Sequence, residues 1–144
     1  LAKIHRFQSL SKDGLLVLAK NLTRFVIERL NGQLLKSLTP SMDEKTGSLK
    51  RFEQVLTDKG IKGRKILAPL VGIYELRKDD AHLPSNDFDE ALKLCEVEIV
   101  GDRYIKAGKD VIAKITERLY IIAELLKRHD SSVSRVWDSA DQQT

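Results

Sequence analysis

The sequence predicts an all-α protein, an antiparallel bundle of four to five helices. Three observations predict it. Apolar residues recur at three- and four-residue intervals along most of the chain. The breaks between these runs fall at helix-stopping residues, at Pro40, Gly60 and Leu83-Pro84-Ser85. The single alternating stretch, Glu96-Val97-Glu98-Ile99-Val100-Gly101, has no second strand to pair with and reads as a connector.

The first helix is expected over residues 12–38, with Ser11 as N-cap and Leu15, Leu18, Leu22, Phe25/Val26, Leu30 and Leu34 as its stripe. Pro40 stops it. After a loop at 39–47, a second helix starts near Ser48 with Leu49, Phe52, Val55 and Leu56, and Gly60 suits the C′ position that ends it. A third segment, 61–78, places Ile66, Leu67, Leu70, Ile73 and Tyr74 on one face. Pro69 lies inside it, so the helix either kinks there or begins there. A short fourth helix over 86–95 turns Phe88, Ala91, Leu92 and Cys95 inward, with Asp87, Asp89 and Glu90 at the end where the helix dipole favours anions. The last helix, 102–128, shows Ile105, Ile112, Ile115, Leu119, Ile122 and Leu126. The first and last helices, roughly 40 Å each at 1.5 Å per residue, are expected to frame the bundle. Residues 1–130 thus form one helical domain, and 131–144 read as a polar tail from which Trp137 docks back.

Composition fits this class. With 144 residues, 42% hydrophobic and 32% charged, the chain is long enough to bury roughly 68–70% of its unfolded surface without staples. Apolar runs such as residues 15–19 stop far short of the roughly 20 residues a membrane helix needs, so no membrane partner is expected. One cysteine, Cys95, excludes an internal disulfide framework and a Cys-rich zinc site, and on an apolar helix face it reads as core. The chain opens on Leu1 rather than Met and is expected to be a fragment or module of something longer. With neither a leader pattern nor disulfides, the expected setting is cytoplasmic.

Charge is uneven. Residues 1–72 carry 14 Lys/Arg against 6 Asp/Glu, and residues 73–144 carry 11 against 15, which predicts one positive and one negative surface. The densest basic stretch is Lys59, Lys62, Arg64 and Lys65, spaced by Gly60 and Gly63. It is a candidate nucleic-acid-binding segment, since phosphate polymers are attracted to such patches in a salt-dependent, sequence-blind way. The plainer alternative is a solvated basic loop.

Arg77 breaks the pattern of the third helix. The stripe 66, 70, 73 predicts its next member at 77, which places a permanently charged guanidinium half toward the core, where it needs an anion or a route to water. His82 follows five residues later, with Asp79 and Asp80 between as supporting groups and Tyr74 one turn earlier as a pocket-lining candidate. The segment Arg77-Lys78-Asp79-Asp80-Ala81-His82 resembles the R-x(4–6)-H motif of the HEPN superfamily (higher eukaryotes and prokaryotes nucleotide-binding), at the end of an apolar helix in an all-α chain. That resemblance implies a metal-independent endoribonuclease of toxin or defence type. It also implies a homodimer that brings two such motifs together, RNA as substrate, and an antitoxin or fused domain as a further partner. The imidazole of His82 would act as general base or acid near neutral pH, and the planar Arg77 guanidinium would clamp phosphate. The residue after the arginine, often small and polar in that family, is Lys78. The alternative is a catalytically inactive helical interaction or nucleotide-binding module, in which Arg77 pairs with Asp80 or Glu75 and His82 caps a helix end.

No cofactor or metal is expected. Asp79, Asp80, His82, Asp87, Asp89 and Glu90 crowd into twelve residues, but no EF-hand spacing is present, nor any P-loop, GxGxxG, GxSxG or HExxH pattern.

Overall fold

A computed structural model describes residues 11–78, 85–129 and 136–137. These form six helices and no strand: α1 (Lys12–Val26), α2 (Gly32–Leu38), α3 (Ser48–Asp58), α4 (Gly63–Arg77), α5 (Ser85–Leu94) and α6 (Tyr104–His129). The all-α class is as the periodicity predicts, and residues 97–100 remain a connector.

The helix expected over 12–38 is two helices. α1 starts where Ser11 accepts a hydrogen bond from the Gly14 N–H, and it stops at Val26. A turn over 27–31 follows, and the Asn31 side chain accepts from Leu34 N–H at 3.0 Å to start α2 afresh. Asn at an N-cap followed by Gly is a strong restart signal, but the apolar stripe runs through the break without a gap: Leu22, Val26, Ile27, Leu30 and Leu35 are all buried. Continuous periodicity therefore conceals the turn. Only α6, with 26 residues, has the length expected of both frame helices, about 39 Å.

The centre of the fold is α4, which packs against α1, α3, α5 and α6. It does so because it is buried around much of its circumference: Leu67, Leu70, Ile73 and Leu76 are fully buried, and Gly63, Pro69 and Gly72 on neighbouring positions are buried too. The helix is continuous through Pro69. The ring removes one N–H, so the carbonyl of exposed Lys65 loses its usual helical donor at a place where water can supply one. At Gly72 a methyl group would lie 2.5 Å from Cys95 Sγ and 2.8 Å from the Ala91 carbonyl oxygen, so the absence of a side chain sets how closely α5 crosses. Cys95 is fully buried there, and burial pushes its thiol up to about 12. It is a core residue and not a nucleophile at neutral pH.

Three polar contacts tie the helices together. The buried Thr23 hydroxyl donates to the Ile73 carbonyl at 3.3 Å, joining α1 to α4. Arg51, only 3% exposed, donates to the carbonyls of Thr39, Asp43 and Thr46 and to the Thr39 hydroxyl. A buried guanidinium needs its donors satisfied, and here neutral acceptors of the 39–47 loop do so, fixing that loop against α3. Trp137 docks as its apolar bulk suggests. Its indole N–H donates to the Val26 carbonyl at 3.0 Å, and its ring meets Phe52 edge-on at 5.3 Å. Val136, fully buried, accepts at its carbonyl from Asn31 N–H at 2.7 Å. Phe25 and Ile105, expected on buried stripes, are instead exposed. The buried stripe of α6 runs through Ala107, Val111, Ile115, Ile122 and Leu126.

Candidate functional site

A groove of about 1180 Å³ runs along the outward side of α4. Arg64 and Lys65 stand at one end, Ala68 and Val71 form the middle, and Tyr74 and Arg77 stand at the other end. Successive lining residues lie three or four apart, which is the spacing of one helix face. The walls come from α3, through Leu49, Glu53 and Thr57, and from the α1–α2 turn, through Ile27 and Glu28. The segment between α3 and α4 contributes Ile61, Lys62 and Gly63.

Local structure explains the basic end. Gly60 takes φ +76°, and the Ile61 and Gly60 N–H groups bond back to Leu56 and Thr57, which ends α3 with a left-handed residue. Gly63 then begins α4 at a point where a methyl group would lie 2.5 Å from the Glu53 carbonyl oxygen. A left-handed glycine at 60 and a close-packed one at 63 thus shorten the connection and deliver Lys62, Arg64 and Lys65 to one place. No side chain caps the N-terminus of α4, whose dipole adds to the positive potential. Among the described residues, Lys62, Arg64 and Lys65 have no ion-pair partner. Lys59, the fourth member of the basic stretch, is not part of the groove lining.

At the other end Arg77 departs from the sequence expectation. The buried stripe continues through Leu76, not Arg77. The Arg77 side chain is 35% exposed, and its Nη1 donates to Glu28 Oε1 at 2.8 Å. Its guanidinium carbon lies 5.2 Å from the centre of the Tyr74 ring, within cation–π range. Glu75, one of the anticipated partners of Arg77, pairs with Lys78 instead, whose Nζ is 2.9 Å from Oε1 and 5.0 Å from the Tyr74 ring centre. The structure therefore brings Tyr74, Arg77, Lys62, Arg64 and Lys65 to one groove. His82, Asp79 and Asp80 lie outside the described residues. Glu28 had no signal in the sequence: it is 49 residues from Arg77, and only the packing of α1 on α4 brings the two together.

A second charged cluster lies elsewhere, where α5 ends against α6. Glu96 sits at φ +58° and pairs with both Lys114, at 3.1 Å, and Arg118. The hydrogen bond from Lys114, aided by the positive charges of Arg118 and Lys114, holds the Glu96 carboxyl below the ordinary carboxylate range. Reciprocally, the Glu96 hydrogen bond raises the Lys114 ammonium above its ordinary value. These charges neutralise one another within the protein.

Among the described residues no group of three or more His, Cys, Asp or Glu side chains is placed to hold a metal ion, and no helix is long and apolar enough to cross a membrane. Fold and groove together define a helical domain with an apolar-floored groove, one end of which carries unpaired cations and the other the Arg77–Glu28 pair. Comparison with known proteins finds no family model, no curated protein and no solved structure that matches the chain.

Proposed function

We propose that this chain is a HEPN-like, metal-independent endoribonuclease, of the toxin or defence type and acting in the cytoplasm, whose RNA lies along the α4 groove. The observation that carries the reading is the placement of Arg77 and the unpaired Lys62, Arg64 and Lys65 in one groove. Cations at the two ends of a groove about one helix long suit separate phosphates of one nucleic-acid strand, and Tyr74 with the apolar floor offers surface for a base.

In this reading Arg77 binds the scissile phosphate through its planar fork and neutralises the charge that builds on the non-bridging oxygens. His82 takes the proton from the 2′-hydroxyl as that oxygen attacks phosphorus to close a 2′,3′-cyclic phosphate, and the bond to the 5′-oxygen of the next nucleotide breaks, that oxygen leaving as a hydroxyl with a proton from water. Asp79 and Asp80 orient the pair, and a homodimer brings two such motifs together. The test is cleavage of mixed RNA in EDTA. Wild type is expected to cut, and His82→Ala to lose about 10²–10⁴-fold in rate, with Arg77→Ala similarly impaired. Full activity in either variant would refute the assignment.

The second reading, a catalytically inactive helical interaction or nucleotide-binding module, is favoured by one observation. Arg77 and Lys78 already hold carboxylates, Glu28 and Glu75, as in a salt-bridged corner. It predicts no RNA cleavage by concentrated wild type together with a stable dimer or complex by light scattering.

A further inference from the structure

Two groove cations already hold anions, and they do so differently. Lys50 pairs with Glu53 within one helix turn. Arg77 pairs with Glu28 from the α1–α2 turn, whose backbone N–H is anchored to the Thr23 carbonyl at 3.0 Å. The contact uses a single guanidinium nitrogen, and both side chains remain open to solvent, at 35% and 48%. One face of the guanidinium lies on Tyr74. Glu28 is its only hydrogen-bond partner among the described residues.

The geometry points to Glu28 Oε1 as the marker of a phosphate subsite: we propose that Glu28 occupies, in the ligand-free protein, the place on Arg77 that an RNA phosphodiester takes on binding. A carboxylate and a phosphodiester carry the same single charge and present similar oxygens. The phosphodiester offers more, since it can engage two nitrogens of the fork while its neighbours along the strand engage the cations at the other end of the groove. An exposed, single-contact ion pair is weak and is displaced at little cost. The residue keeps Arg77 oriented across the groove until RNA arrives and competes with RNA for it. This inference rests on the groove being the RNA-binding face.

The sign of one substitution separates this role from a structural one. If the pair merely braced the fold, Glu28→Gln would loosen Arg77 and weaken RNA binding. If Glu28 stands in the phosphate subsite, Glu28→Gln strengthens it. The probe is a labelled, short 2′-O-methyl RNA oligonucleotide, which cannot be cut because the attacking hydroxyl is blocked, titrated in EDTA at several KCl concentrations and followed by fluorescence polarisation. Glu28→Gln is expected to bind about threefold to fivefold tighter than wild type. The slope of log affinity on log salt is expected to stay nearly unchanged, since both proteins place the same phosphate on Arg77. In an Arg77→Gln background most of that gain should vanish. Unchanged or weaker binding by Glu28→Gln, or an undiminished gain without Arg77, overturns this inference while leaving the groove as the RNA face. Failure of both wild type and Glu28→Gln to bind overturns it together with the proposed function.

Discussion

Two helices of this protein end in the same way and are put to opposite use. At the end of α3, Gly60 at φ +76° sends its N–H to Thr57 at 2.9 Å, and Ile61 N–H bonds to Leu56 at 3.0 Å. At the end of α5, Glu96 at φ +58° sends its N–H to Lys93 at 3.0 Å, and Val97 N–H bonds to Leu92 at 3.1 Å. The first end uses the residue that the left-handed conformation favours. The second uses one that pays a steric cost there. The first is followed by Lys62, Arg64 and Lys65, which face the groove without carboxylate partners. The second carries its own carboxylate, which gathers Lys114 and Arg118 on α6. Backbone geometry alone thus does not separate an edge of unpaired cations from a neutralised corner. What separates them is whether the charges delivered there are neutralised within the protein.

The most damaging way to disturb the comparison acts on the crossing that places the Glu96 end. Gly72→Ala drives a methyl group into the backbone of Ala91 and Cys95, at 2.8 and 2.9 Å. Overpacking of this kind is expected to cost about 2–3 kcal/mol, a fall in Tm of roughly 5–10 °C by calorimetry. At the groove, replacing Lys62, Arg64 and Lys65 together by Ala should leave Tm nearly unchanged. It should weaken binding of the 2′-O-methyl oligonucleotide about 10- to 100-fold and flatten its salt slope by about 2, three phosphates on a single strand. The matched replacement of Lys114 and Arg118 should leave binding unaffected.

The helix ends themselves can be exchanged. Gly60→Ala meets no atom within 4 Å, so its cost is purely conformational, about 1 kcal/mol by denaturant unfolding. Glu96→Gly relieves a similar strain but gives up the ion pairs with Lys114 and Arg118, so its net effect should be smaller than that of Gly60→Ala. The smallest expected effect is in the pH profile. Because the Glu96 carboxyl is held below its ordinary range, its stabilisation is fully present above about pH 5 and is lost as pH falls through the depressed value. The Lys114 ammonium is raised, so its share persists through neutral pH and is lost only as pH rises through that raised value. Glu96→Gln should therefore lower Tm slightly at pH 7, and by less as pH falls below the ordinary glutamate range.

The contrast also marks what a linear reading reaches. Gly60 as a helix terminator was legible because glycine at that position has a local cause, and the basic stretch after it was legible as charge. Glu96 was not, since a glutamate in a left-handed turn depends on cations 18 and 22 residues away on another helix. The division of α1 from α2 was concealed by an unbroken apolar stripe, although Asn31-Gly32 carried the local sign of a new start. Arg77 was legible as an anomaly and misplaced in detail. A drift of one residue in the buried stripe, from 73 to 76, turns it outward to Glu28. Tyr74 and Arg77 line one groove, whereas His82, Asp79 and Asp80 fall outside the described residues.

The most direct test of the groove as the RNA-binding face is an amide chemical-shift titration of the full chain with the 2′-O-methyl oligonucleotide. The expected result is saturable shifts at Lys62, Arg64, Lys65 and Arg77, with Glu28 moving as its partner is taken, and none at Glu96, Lys114 or Arg118. Shifts centred on the Glu96 corner, or none along α4, would contradict it.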